Sequence, residues 1–466
     1  MMTLQQAHDW LVARHVPVAL VGSGHTCIHR VHTDTRTLQS GDLFVALQGD
    51  NFDAHDFLAQ AQASGATAAI AQHGLQAAGL PGLLVGDTKH ALGQLAASWR
   101  QQFDLPLIAV TGSNGKTTVT QMVASILRAW KGAAAFSTQG NFNNDIGLPL
   151  TLLRLQPTHE VGVVELGMNH PGEIAFLAGL SQPHIALVNN AQREHLEFMA
   201  TVEAVALENG SVIAALTAQG VAVFPADDAY TATWQKMAGS RQVLTFALDG
   251  PADVTAVARW VGSRWQVHAE TPHGPVEFTL GIAGKHNVKN ALAATACALA
   301  AGVPLASIAA GLGAFVPVKG RSRALQVSVE GRLLHLVDDT YNANPDSMCA
   351  AIDVLAELPG PRLLVMGDMA EVGSQGPQFH AEAGQLARRS GIDLLLALGL
   401  QSAGAASSFG HGQHFSDIAA LNAAVLAALP QFTSVLVKGS RSMQMERVVH
   451  AILAAHPTFS EPSHAA

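Results

Sequence analysis

Short unbroken apolar runs alternate along the chain with longer amphipathic stretches, a rhythm that predicts parallel strands joined by helices. Runs at 107–111, 161–166, 185–190 and 221–224 carry Val, Ile, Leu and Ala with few interruptions until their last residues. Strands covered on both faces read this way. A similar rhythm returns in a last block beginning near residue 318, with predicted strands at 333–338, 363–367, 394–398 and 435–437. A first block, to about residue 84, has shorter predicted strands at 43–47 and 68–71 with helical stretches between them. Between 253 and 282 the period changes to two, as in Trp260-Val261 and Trp265-Gln266-Val267, with a turn at 272–275 before 276–280. That pattern predicts an antiparallel appendage. The expected fold is α/β in three domains. These are a small α/β domain (1–84), a central parallel-sheet domain with the appendage (85–317) and a doubly wound, Rossmann-like domain (318–466), with a frayed tail at 460–466.

Residues 291–318 carry no charge over a length that could cross a bilayer. Alanine dominates the stretch, and Gly302-Val303-Pro304 interrupts it. Two alanine-rich helices of a folded protein are the expected reading, with no membrane span.

Composition changes this picture only by exclusion. Of 466 residues, 48% are hydrophobic and 13% charged, which supports large cores and argues against disorder. The net charge of −9 and the lack of a long basic run argue against a nucleic-acid partner. An anionic ligand must therefore meet local cations. Cys27, Cys297 and Cys349 are far apart, which suggests neither a disulfide framework nor a zinc site and favours a reducing compartment. The first residues lack the basic and apolar regions of a signal peptide, so a cytoplasmic location is expected.

The strongest chemical signal follows the run at 107–110. Thr111-Gly112-Ser113-Asn114-Gly115-Lys116-Thr117-Thr118 reads as strand, glycine-rich turn and helix start. Such a turn aims backbone N–H groups, the helix dipole and one ammonium at a single point, which suits a polyphosphate. Thr117 is placed to ligate Mg²⁺. Val110 stands where the full phosphate-loop pattern has its first glycine, so this is a short variant.

Ligands in open α/β sheets bind beyond the carboxyl ends of strands. Glu165 ends the run at 161–164 and could ligate a metal or be a solvated acid. His195, in Arg193-Glu194-His195, could ligate a metal or face a phosphorylated intermediate. Asn287 and Asn290 open the alanine-rich helix, where they could cap it or read a base. Polar clusters at 338–345, 367–373 and 438–441 end strands of the last block. Signals at the same end of two sheets predict a site between two domains.

Together these segments resemble the Mur ligases of bacterial cell-wall synthesis. The resemblance spans nearly the whole chain. It adds Asp34-Thr35-Arg36 and Gly41-Asp42-Leu43-Phe44 near the start, Asn141-Phe142-Asn143-Asn144 after the helix, and Gly284-Lys285-His286-Asn287-Val288-Lys289-Asn290. It implies ATP-dependent amide-bond formation between UDP-N-acetylmuramoyl-tripeptide and D-alanyl-D-alanine through an acyl phosphate, by a monomer with small-molecule partners. By motif position, the loop residues Gly112 to Thr118 hold ATP, with Lys116 on its outer phosphates. Thr117, Glu165 and His195 hold Mg²⁺. Asn287 and Asn290 lie near the adenine, Asp339 near the ribose, and Arg321 reaches the γ-phosphate. The substrates fall to Asp34, Thr35, Arg36, Asn141, Asn143, Asn144, Asn342, Asn344, Lys438, Ser440 and Arg441.

The chain departs from the family at Asn209. Relatives often carry a carbamylated lysine there that supports a second metal, and asparagine cannot be carbamylated. Glu208, or Asn209 through water, is the expected substitute. Alternatives are another amide ligase of the superfamily, such as a folylpolyglutamate synthase, or a phosphate-loop ATPase or kinase. The N-terminal block argues against the former, and turnover dependent on an amine acceptor would argue against the latter.

Overall fold

The computed structural model describes residues 1–49, 52–261 and 264–456. The expected frayed tail and Gly262-Ser263 of the appendage lie outside the described residues.

Six parallel strands form the central sheet, in the order Ala135–Ser137, Val161–Glu165, Leu107–Thr111, Ile185–Val188, Val221–Pro225, Gln242–Phe246. All five residues of Leu107–Thr111 are buried, as its unbroken apolar run requires. This strand lies between Val161–Glu165 and Ile185–Val188, where successive connections leave in opposite directions. That is the switch point at which doubly wound sheets open a crevice. Helix Lys116–Lys131 starts there, with Gly115 as its N-cap at φ +82°.

The uncharged stretch folds as helices Lys285–Ala300 and Leu305–Gly313, as expected. Ala291, Ala293, Ala294, Ala296 and Ala298 are fully buried against the central sheet and helix Lys116–Lys131. Small side chains permit that close approach. Among the described residues, no helix is long and apolar enough to cross a membrane. The appendage is a three-stranded antiparallel sheet of Thr255–Val261, Arg264–Glu270 and Val276–Leu280.

The last sheet runs Arg323–Val329, Arg332–Asp339, Ser434–Lys438, Arg362–Gly367, Leu394–Leu398, Gln413–Phe415. Its first pair is antiparallel and the others are parallel. The edge strand Arg323–Val329 was not anticipated, although Leu325, Val327 and Val329 alternate with more exposed neighbours. The first block forms a five-stranded mixed sheet in which Val18–Val21 pairs antiparallel with Gly82–Val85. Helix Thr88–Arg100 shares one apolar core with this block and with the central domain.

Candidate functional site

The carboxyl ends of the central and last sheets face each other across a cavity of about 720 Å³. Its lining comes from the phosphate loop, the segments 143–145, 165–173, 189–195, 227–229 and 286–290, the linker 320–322 and the strand end 339–351.

The phosphate loop is shaped by two glycines in the left-handed region, Gly112 at φ +128° and Gly115 at φ +82°. A Cβ on Gly115 would stand 2.6 Å from Asn290 Oδ1, and one on Gly112 2.9 Å from the Asn189 side chain. Larger residues would therefore break the curve. The first turn of the following helix offers its unpaired N–H groups, and positive dipole end, to the cavity. Lys116 curls back over the loop: its Nζ donates to Gly112 O at 2.5 Å and Ser113 O at 3.1 Å, and pairs with Glu194 Oε1 at 2.7 Å.

Thr117 Oγ1 donates to Glu165 Oε1 at 3.0 Å, and Asn143 Nδ2 donates to the same oxygen at 2.8 Å. The strand-end acid and the helix hydroxyl thus form one oxygen-donor set, which suits a hard divalent cation. Asn143 orients that acid. Asn144 has a local role, its Oδ1 accepting the N–H of Gly147 at 2.8 Å.

His195 also lines the cavity, but its ring lies between two carboxylates, Glu194 at 3.4 Å and Glu371 of the last domain. Burial alone would push its pKa down; hydrogen bonds to Glu194 and Glu371 outweigh that and hold it at about 9. In this arrangement His195 pairs with Glu194 and Glu371 beside the phosphate loop, while Thr117 and Glu165 present oxygens that suit a hard cation.

Asn287 and Asn290 are buried and make a relay rather than a helix cap. Asn287 Nδ2 donates to Ala283 O at 2.7 Å, Asn290 Nδ2 to Asn287 Oδ1 at 3.0 Å, and Asn189 Nδ2 to Asn290 Oδ1 at 2.9 Å. Asn189 Nδ2 also donates to Asn114 O at 2.8 Å, so the relay ends on the phosphate loop.

From the last domain, Arg321 lies over the Tyr341 ring, its guanidinium carbon 4.0 Å from the centroid. Asp339 accepts from Lys438 Nζ at 2.6 Å and from the Ser322 N–H at 2.9 Å. Burial would raise its carboxyl pKa, but the ammonium of Lys438 holds it below the usual value. Lys438 also donates to Asn342 O at 2.9 Å. Asn344 caps helix Pro345–Glu357 and exchanges hydrogen bonds with Asn114 at 2.9 and 3.3 Å.

Other expected residues do not line this cavity, although the Arg441 guanidinium carbon lies 6.0 Å from the ring centroid of Tyr341, which does. Ser440 is buried with its N–H on Asp368 O, and Arg441 is exposed and paired with Glu446 at 3.0 Å. Neither lines the cavity, nor do Asn141, Asp34, Thr35 and Arg36. Arg36 forks onto Asp34 in the first domain, and that pairing lowers the Asp34 pKa to about 2.

Residues 208 and 209 both have protein partners in this structure. Glu208 does not line the cavity and caps helix Glu173–Ser181, accepting the N–H groups of Gly172 at 2.9 Å and Ile174 at 2.8 Å. Asn209 is 1% exposed and holds the root of the phosphate loop directly. Its Oδ1 accepts from Thr111 Oγ1 at 2.8 Å and the Gly112 N–H at 2.9 Å.

Sequence reasoning assigned no role to Arg193, Glu194, Tyr341 or Glu371. The signal for the first two was the dense charge of residues 193–197 directly after a strand end. One more cluster of possible metal ligands is Asp53, His55 and His73. His55 Nε2 accepts the Gln72 N–H at 2.9 Å, so its Nδ1 carries the proton and donates to Asp53. That tautomer leaves no ring lone pair for an ion, and the cluster is structural.

Comparison with known proteins agrees with this geometry. Residues 27–100 match the model "Mur ligase family, catalytic domain", 110–298 the "Mur ligase middle domain" and 322–441 the "Mur ligase, glutamate ligase domain". The chain is 45% identical over 426 residues to the UDP-N-acetylmuramoyl-tripeptide--D-alanyl-D-alanine ligase of Escherichia coli (strain K12), covering 91% of this chain and 93% of that one. MurF from Acinetobacter baumannii superposes with a TM-score of 0.89 at 35% identity, covering 97% and 99%. MurF ligase from Thermotoga maritima in complex with ADP gives 0.80 at 26%, covering 91% and 97%. A phosphate loop facing a second α/β domain, and likeness over almost the full length, lead to one conclusion: the chain belongs to the Mur ligase family.

Proposed function

We propose that this chain uses ATP to join D-alanyl-D-alanine to the peptide carboxylate of UDP-N-acetylmuramoyl-tripeptide, a step in making peptidoglycan precursors. The observation that carries this reading is the meeting of two half-sites in one cavity. Lys116 and the phosphate loop come from one domain; Arg321, Asp339 and Lys438 come from another. Simple ATP hydrolysis needs only the first.

A carboxylate is a poor acyl donor because its leaving group would be oxide. Transfer of the γ-phosphoryl group to the peptide carboxylate gives an acyl phosphate and ADP. The dipeptide amine then attacks the acyl carbon, loses a proton, and the tetrahedral adduct expels phosphate. The first step brings two anions together, so cations dominate catalysis. Lys116 holds the outer phosphates, and Arg321 meets the charge that moves onto the transferred group. Thr117, Glu165 and His195 would hold Mg²⁺, which would neutralise phosphate charge when bound, with His195 exchanging its contact with Glu371 for the ion. We assign the UDP end to residues 1–84, ATP to 85–317 and the incoming dipeptide to 318–466, in a cytoplasmic monomer.

The test is incubation with UDP-N-acetylmuramoyl-tripeptide, D-alanyl-D-alanine and Mg-ATP. Amide product, by mass, and phosphate should appear in equal amounts, and both should vanish with Lys116→Ala. Phosphate release without an amide product, or without need for the dipeptide, would overturn the reading.

A further inference from the structure

The segment after strand Ile185–Val188 runs along the phosphate loop and then crosses to the last domain. Ser113 N–H donates to Asn190 O at 3.1 Å, Asn114 N–H to Asn190 Oδ1 at 2.8 Å, and Asn114 Nδ2 to Gln192 Oε1 at 2.6 Å. Arg193 leaves this surface. Its N–H donates to Asp346 Oδ2 at 2.7 Å, and its Nη2 and Nε donate to Asp346 Oδ1 at 2.7 and 3.0 Å. Its Nη1 donates to Glu382 Oε2 at 3.0 Å, and its guanidinium carbon sits 5.0 Å from the Phe379 ring centroid. The next residue, Glu194, turns back to Lys116.

We propose that Arg193 is a positioning residue for the ligation, clamping helix Pro345–Glu357 and helix Gly376–Arg389 of the last domain onto the rim of the phosphate loop. The inference rests on the ligase reading above. Asp346 lies in the first turn of helix Pro345–Glu357, and the cap of that helix, Asn344, is already bonded to Asn114. These two contacts fix the helix start against the loop. The chain just before it carries Tyr341, on which Arg321 is stacked. Seating the helix therefore sets where Arg321 stands relative to Lys116. Arginine suits the role because its planar fork reaches two acids at once, which a lysine cannot do with the same geometry. Every phosphate contact assigned above except that of Arg321 comes from the central domain, and the last domain adds only Asp339 near the ribose. Nucleotide capture should therefore survive loss of the clamp, while the transfer step should not.

The test compares wild type, Arg193→Gln and Arg193→Lys as full chains. ADP affinity is read by calorimetry, ligation by steady-state kinetics, and domain spacing by small-angle scattering. For Arg193→Gln the expected result is kcat at least tenfold lower, ADP affinity within threefold of wild type and a larger radius of gyration. Arg193→Lys should recover part of kcat. Glu382→Gln trims one arm of the clamp only and should lower kcat two- to fivefold, which gives a readable result should Arg193→Gln fail to fold. Unchanged kcat in both Arg193→Gln and Glu382→Gln would overturn the proposal, as would equal losses of kcat and ADP affinity. If wild type itself made no amide, the ligase reading would fall, and an unchanged radius of gyration in Arg193→Gln would separately sink the clamp.

Discussion

The side-chain oxygen of Asn209 accepts both the Gly112 N–H and the Thr111 hydroxyl, at 2.9 and 2.8 Å, where the phosphate loop leaves its strand. Both donors are buried; removing the side-chain acceptor leaves the Gly112 N–H unpaired and the Thr111 hydroxyl with only the longer bond to the Asn209 carbonyl, at 3.3 Å. Asn209→Leu should destabilise the fold by about 1–3 kcal/mol and raise the KM for ATP. Asn209→Asp keeps an acceptor but adds an anion near the phosphates. It should raise that KM while the melting temperature falls less than in Asn209→Leu. Thermal unfolding beside steady-state kinetics separates the two effects.

Glu194 competes with phosphate for Lys116. Its Oε1 sits 2.7 Å from the ammonium, and both side chains are largely shielded from water. Glu194→Gln should lower the KM for ATP by about threefold, because charge-assisted bonds to phosphate no longer displace a carboxylate. The same change should lower stability without nucleotide, since Lys116 loses its buried partner. A rise in KM would contradict this account.

Glu165 draws together Thr117 and Asn143 on one oxygen. Glu165→Gln retains the shape but not the charge. The Mg²⁺ concentration for half-maximal turnover should rise by about tenfold or more, consistent with the loss of an anionic ligand from a hard-cation site. Titration with Mg²⁺ at saturating ATP is the measurement.

Glu208→Ala should leave the Mg²⁺ dependence unchanged. Its carboxylate is committed to the N–H groups of Gly172 and Ile174. The expected loss is about 1 kcal/mol of stability, as for removal of a helix cap. A shifted Mg²⁺ dependence would restore the metal-site role for this acid.

Asp339 and Lys438 face each other on neighbouring parallel strands, 2.6 Å between charged atoms. The folded carboxyl pKa lies below its ordinary value of 3.8, so the pair's contribution is present above that pH and is lost as pH falls through the folded value. Asp339→Asn should be less stable than wild type by about 3 kcal/mol near neutrality. The gap, measured by urea unfolding, should close in the acid range.

Much of this was legible in the chain because burial on both faces leaves a simple trace. The strand Leu107–Thr111, the glycines beside it and Glu165 at the end of the next apolar run all follow from local pattern. Arg323–Val329 escaped notice because an edge strand buries one side only, and its alternation is short. The roles of Glu208 and Asn209 were less legible still. Adjacent residues on a helix point about 100° apart, so one faces a helix end and the other the phosphate loop. Only the packing of helix Val202–Ala214 decides which is which. The links from Arg193 to Asp346 and Glu382 span 153 and 189 residues, and no local rule reports such distances.

The seam between the central and last domains is held by Asn114 with Asn344, Arg193 with Asp346 and Glu382, and His195 with Glu371. These are groups that water can satisfy as readily as protein. Beside them Leu196, Trp260 and Ala283 of the central domain pack on the apolar core of the last domain, so parting the two bodies would bare an oily face as well as these polar groups. The polar groups make the join sensitive to dissolved ions, and added salt should slow turnover before it loosens either fold.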